Sequence, residues 1–125
     1  MLKMLTNYME DGFLENIIDM FKQDKSLYPL IGDMLGDERG RVRLGTVALV
    51  EHMRTIDPDA VLTAIPGVAK LLKNPNVAIR GDAAYLLGLI DHKDALPFLS
   101  AASKDENELV RKIVKESIIQ IENSS

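Results

Sequence analysis

The chain has no cysteine and no tryptophan, and only six of its 125 residues are Tyr or Phe. Without cysteine there is no disulfide framework, thiolate zinc site, iron–sulfur cluster or cysteine nucleophile. Basic charge is also scarce: 15 Lys and Arg stand against 19 Asp and Glu, a net charge of −4. A general nucleic-acid-binding surface carries a basic excess, so that class is set aside. No apolar run nears the roughly eighteen residues of a membrane-spanning helix, and no signal peptide opens the chain. A soluble cytoplasmic protein is therefore expected. No glycine-rich phosphate loop, Gly-x-Ser-x-Gly elbow or paired carboxylate stands out. What is present, 46% apolar and 27% charged residues, is enough to bury a core in one domain or one short array.

That material is repetitive. Pro29, Pro66 and Pro97 are each followed fourteen residues later by an arginine: Arg43, Arg80 and Arg111. Both series step by 37 and then by 31. In the same register lie Ser26, Thr63 and Asp94 before the prolines, and Ile31, Val68 and Leu99 just after them. Asp37, Asn74 and Asp105 follow, and Val42, Ile79 and Val110 immediately precede the arginines. The longer first step maps to residues 54–62, where Asp57-Pro58 marks a turn or an early helix start. Self-similarity at this period is the signature of a helical repeat array.

Each unit reads as two helices. The first is expected to begin at a Ser26, Thr63 or Asp94 N-cap and run about ten residues, with proline in the first turn, where its missing N–H costs little. The second is expected to open around Asp37, Asn74 or Asp105, with the linking loop running on in the first unit because of Gly40. Offsets −1, +3, +7 and +10 from each arginine are apolar or small, giving one buried stripe per second helix. Those stripes are Val42, Thr46, Val50 and Met53; Ile79, Ala83, Leu87 and Ile90; and Val110, Val114, Ile118 and Ile121. Residues 1–25 hold no repeat anchor. Phe13, Ile17, Met20 and Phe21, broadened by Leu14 and Ile18, form one amphipathic stripe there, and Leu2, Leu5, Tyr8 and Met9 form another. They serve either to cap the first repeat or to pair with a partner or a second copy.

Paired helices with proline in the first, Asp at the bend and Val-Arg opening the second resemble HEAT repeats over residues 26–121. Asp94-Ala95-Leu96-Pro97-Phe98-Leu99 and Ala83-Ala84-Tyr85-Leu86-Leu87-Gly88 look like the short HEAT-like repeats of phycobilisome lyase subunits. The resemblance implies an all-α, right-handed superhelical solenoid in a single domain. An N-terminal helical cap (1–25) would precede repeats at 26–56, 57–91 and 92–125. It further implies a structural ladder in which Arg43, Arg80 and Arg111 bond the bend aspartates of the same or a neighbouring repeat, here Asp37 and Asp105, with Asn74 at the third bend. Because Asn74 is uncharged, Arg80 is expected to have lost a charged partner and to matter least.

No enzyme chemistry emerges. HEAT-like iron enzymes need repeated His-Glu pairs, whereas here the reversed Glu51-His52 occurs once and His92 stands far away. Both histidines are read as surface residues, and no metal or other cofactor is implied. Residues at offsets +1, +5 and +8 point away from the buried stripes, toward the concave face through which repeat arrays often bind. On that face Tyr85, Leu44, Glu51, Lys112 and Glu116 are the candidate contacts to a protein partner. The competing reading has Gly81 and Gly88 simply allowing close helix packing and Tyr85 filling a gap between repeats. Lys115, Glu116 and Ser117 replace the apolar residues of earlier units and are expected to form a polar cap. The expected function is a non-catalytic scaffold or adaptor, monomeric or weakly dimeric. The alternatives are an enzyme's accessory subunit or chaperone, as in bilin-lyase-type proteins, and a structural homo-oligomer.

Overall fold

The computed structural model describes residues 1–124 and is helical, with no strand among the described residues. Helices α1 (Leu2–Glu10) and α2 (Leu14–Gln23) form an N-terminal pair. Three hairpins follow. Their short first arms are α3 (Ile31–Leu35), α5 (Pro58–Val61) with α6 (Ile65–Lys70), and α8 (Leu96–Ala101). Their long second arms are α4 (Gly40–Ile56), α7 (Val77–Ile90) and α9 (Glu108–Ser124). Like arms of successive units are neighbours: α3 against α6, α4 against α7, α7 against α9. The N-terminal pair lies on α4.

The first arms are not the continuous ten-residue helices expected. Each contains a 3-10 turn, at Lys25–Leu30, Leu62–Ala64 and Lys93–Ala95, that leads into the α-helical part. Pro29 lies inside the first of these turns, and Pro66 and Pro97 open α6 and α8. Proline has no N–H to lose at such a junction, and its fixed φ suits both helix types. The expected caps Ser26, Thr63 and Asp94 are also displaced. The Asp24 carboxylate accepts from the Ser26 N–H and His92 Nδ1 from the Asp94 N–H, so in units one and three the cap lies two residues upstream. In unit two the cap is Asp57, accepting from the Ala60 N–H, and Thr63 bonds back to the Ala60 carbonyl. The extra residues of the longer repeat thus become α5.

The second arms begin three residues after Asp37, Asn74 and Asp105, later than expected, and for one shared reason. Each bend residue's side-chain oxygen accepts the N–H two residues on, from Arg39, Asn76 and Asn107. This turn completes before the helix starts. Gly40 does not lengthen the first loop: the interval from bend residue to helix start is the same in all three units.

The periodic stripes form the core. Eleven of the twelve positions are buried, and Ile118 is half-buried against the core. Thr46, the polar member, satisfies its hydroxyl on the Val42 carbonyl. In the N-terminal pair Leu5, Met9, Ile17, Ile18 and Phe21 are buried, the last edge-on to the fully buried Tyr28. Phe13 departs from its expected stripe: it caps α2, stays 50% exposed and packs edge-on to Tyr8 at the surface. Closeness between first arms depends on glycine, since a Cβ on Gly32 would lie 2.5 Å from the carbonyl carbon of Gly67.

Candidate functional site

Every bend and its arginine form one repeated device. Arg43, Arg80 and Arg111 each donate through one terminal nitrogen to the carbonyl of their own bend residue, at 3.0, 2.9 and 2.7 Å from Asp37, Asn74 and Asp105. The Nε then reaches toward the following unit. Arg80 Nε meets Asp105 at 2.9 Å, and its other terminal nitrogen meets the second carboxylate oxygen at 3.3 Å. Arg43 Nε meets Asp82 of α7 at 3.0 Å. No further carboxylate lies within ion-pairing distance of Arg111 among the described residues.

This direction corrects the expectation about Arg80. The partner of each arginine comes from the next repeat, so the neutral Asn74 deprives Arg43, not Arg80, of a bend carboxylate. Arg43 uses Asp82 instead. The Asp37 carboxylate is not its partner: Asp37 holds the Arg39 guanidinium at 2.9 and 3.0 Å and offers Arg43 only its carbonyl. Arg80 is the buried member of the ladder, 8% exposed, and the Asp105 side chain is equally covered. Burial alone pushes the Asp105 carboxyl upward, but the Asn107 N–H and the Arg80 guanidinium outweigh it and hold the group below its ordinary value. The Arg39 hydrogen bond likewise lowers Asp37.

Tyr85 projects from the middle of α7 and is 50% exposed, so it is not enclosed between repeats. It stands between two hollows. One, about 300 Å³, is shared with Leu44, Val47, Arg43 and Asp82. The other, about 360 Å³, is lined by Gly88, Leu89, Ile113, Glu116, Ser117, Gln120 and Arg54. Leu44 is 73% exposed beside the first. Of the five candidate contacts, Tyr85, Leu44 and Glu116 are thus gathered about one aromatic ring. Glu51 and Lys112 are exposed but line neither hollow. Lys112 instead lines a separate hollow of α9 with Arg111 and Lys115.

The second hollow owes its floor to close packing of α7 and α9. Ser117 Oγ donates to the Ala84 carbonyl at 2.8 Å, and a Cβ on Gly88 would come within 2.5 Å of that oxygen. Ser117 is therefore buried at 6%, against its expected place in the polar cap, while Lys115 and Glu116 are exposed. Sequence reasoning overlooked Arg54. It stands one helical turn beyond the offsets considered, at the edge of the irregular segment, and only the turn of α7 beside it brings it to the hollow.

His52 is exposed and His92 Nδ1 is occupied by the Asp94 N–H. Among the described residues no group of three or more His, Cys, Asp or Glu is placed to hold a metal ion. No helix among them is long and apolar enough to cross a membrane.

The fold and its repeated bend–arginine device are those of an all-helical repeat array. Residues 65–124, spanning α6 to α9, match the family model described as HEAT repeats. Repeats of this family commonly serve as protein-interaction scaffolds. No curated protein matches the chain.

Proposed function

We propose that this chain is a single-domain, non-catalytic scaffold whose three hairpins wind as a right-handed solenoid. On this reading it docks a protein partner on the face of the second arms centred on Tyr85. The observation that carries the reading is the half-exposed tyrosine between two hollows, with the exposed Leu44 alongside. An exposed aromatic flanked by depressions is the form of an interface anchor, where truncation costs more than about 1 kcal/mol of binding. Tyr85, Leu44 and Glu116 make the central contacts, with Glu51 and Lys112 at the rim. An accessory role on an enzyme, as the Asp94–Leu99 and Ala83–Gly88 runs suggest by likeness to bilin-lyase subunits, is the narrower form of the same proposal.

The test is quantitative affinity capture from the host, comparing the native chain with Tyr85→Ala and Phe98→Ser. Phe98 is 42% exposed on the first-arm α8, away from the face in question. Partners lost with Tyr85→Ala and kept with Phe98→Ser support the proposal. Equal capture by both variants refutes it.

A second reading, a homo-oligomer, is favoured by one feature. Met4 and Tyr8 on α1, with Met1 just before it and Phe13 beside Tyr8, make an exposed apolar stripe. Light scattering during size exclusion decides it, since a chain of 13.9 kDa and its dimer are well separated.

A further inference from the structure

Two arginines line the hollows beside Tyr85, and their electrostatic circumstances differ. Arg43 is neutralised by Asp82 at 3.0 Å. Arg54 has no carboxylate within ion-pairing distance among the described residues. Its side chain is nonetheless held in place, because one terminal nitrogen donates to the Leu89 carbonyl at 2.8 Å across the α4–α7 junction. That bond uses one end of the guanidinium fork and leaves Nε and the other terminal nitrogen as donors at the lip of the hollow. The floor beneath is Gly88, Leu89 and Ile113, and Glu116 stands on the lining with no cation paired to it among the described residues.

We propose that this hollow takes a partner segment carrying an aliphatic or aromatic side chain beside a carboxylate, the apolar group over Gly88 and Ile113 and the carboxylate on Arg54. The inference rests on the Tyr85 face being the docking surface and specifies the chemistry of what docks there. A planar guanidinium with a pair of free donors matches a carboxylate geometrically. Because the Leu89 carbonyl already restrains the side chain, less conformational freedom is lost on binding. Glu116 repels the same carboxylate and so orients the segment with its acid toward Arg54.

The experiment selects random twelve-residue peptides displayed on phage against the intact chain, then measures the enriched peptides by fluorescence anisotropy. Enriched sequences are expected to share an apolar residue next to Asp or Glu. Their affinity should fall at least tenfold with Arg54→Glu and severalfold with Arg54→Gln, and also with Tyr85→Ala. Replacing the peptide acid by Lys should restore binding to Arg54→Glu, a rescue that misfolding of the variant cannot mimic. Peptides weakened by Tyr85→Ala but indifferent to both Arg54 variants would overturn this inference and leave the docking face standing. Peptides indifferent to Tyr85→Ala and to Arg54 remove both. Enrichment of sequences without an acid, or no enrichment at all, also overturns it.

Discussion

Replacing Arg80 by alanine removes four hydrogen bonds at once: two to the Asp105 carboxylate and one each to the Asn74 and Pro75 carbonyls. The Glu106 contact at 3.7 Å is to a side chain 89% exposed and adds little. The cost lies in what remains. Asp105, its side chain 8% exposed, would keep one N–H bond from Asn107 and the weaker attraction of Arg111 but lose its hydrogen-bonded cation. Breaking a buried pair by deleting one member typically costs about 3–5 kcal/mol, because the surviving charge is left uncompensated. Arg43→Ala should cost about 1–2 kcal/mol, since its partner Asp82 is 41% exposed and water can replace the guanidinium. Arg111→Ala loses one carbonyl bond at an exposed site and should cost about 1 kcal/mol or less. Urea unfolding followed by circular dichroism measures all three. The expected order of cost is Arg80, Arg43, Arg111, with Arg80→Ala and Asp105→Ala strongly non-additive in a double-mutant cycle. If Arg80→Ala costs no more than Arg43→Ala, the buried pair is not what joins units two and three.

Gly88→Ala should destabilise by about 1–3 kcal/mol through overpacking against Ser117. Gly81→Ala, whose new Cβ meets only Ile113 at an ordinary 3.5 Å, should be neutral or stabilising by up to about 1 kcal/mol from helix propensity; thermal melts of the pair separate the two cases. Asp37 and Asp105 have folded pKa values below their ordinary ones, so their stabilisation is whole above the unfolded value of about 4 and is lost as pH falls through the folded values. The stability gap between the native chain and Arg80→Ala should therefore narrow below about pH 4 in an acid titration of unfolding, and a constant gap would contradict this. Asp91 ends α7 in the left-handed conformation at φ 60° with one carboxylate oxygen buried and unpaired, so Asp91→Gly should stabilise by about 1 kcal/mol in urea unfolding.

Much of the helical framework is legible in the sequence. The stripes at offsets −1 to +10 lie in the core because helical period alone decides which residues share a face, and burying that face is the main driving force. Helix starts were less legible. Ser26, Thr63 and Asp94 have the chemistry of caps, yet the accepting groups are Asp24, Asp57 and His92, and the competition among several capable side chains within one turn is decided by backbone geometry. Phe13 has the right spacing for the core, but its place at the start of α2 turns it to the surface.

The sequence by itself determined the class of the fold: a proline–bend–arginine unit in three copies, each with one apolar stripe, can bury its stripes only by stacking. It also determined that each bend and its arginine form one device, since their separation is constant. Tertiary structure alone decided which acid each arginine meets. Arg80 pairs with Asp105, 25 residues on, and Arg43 with Asp82, 39 residues on, because Nε points out of its own unit toward the next. The candidate site is divided between sequence and tertiary structure. Tyr85 and Glu116 share the +5 offset of the repeat, whereas Arg54 stands outside that register and reaches the hollow from α4 only in the folded array. They meet because Gly88 and Ser117 let α7 and α9 approach closely while α4 packs along α7, and the distance between helices is set by the side chains that separate them.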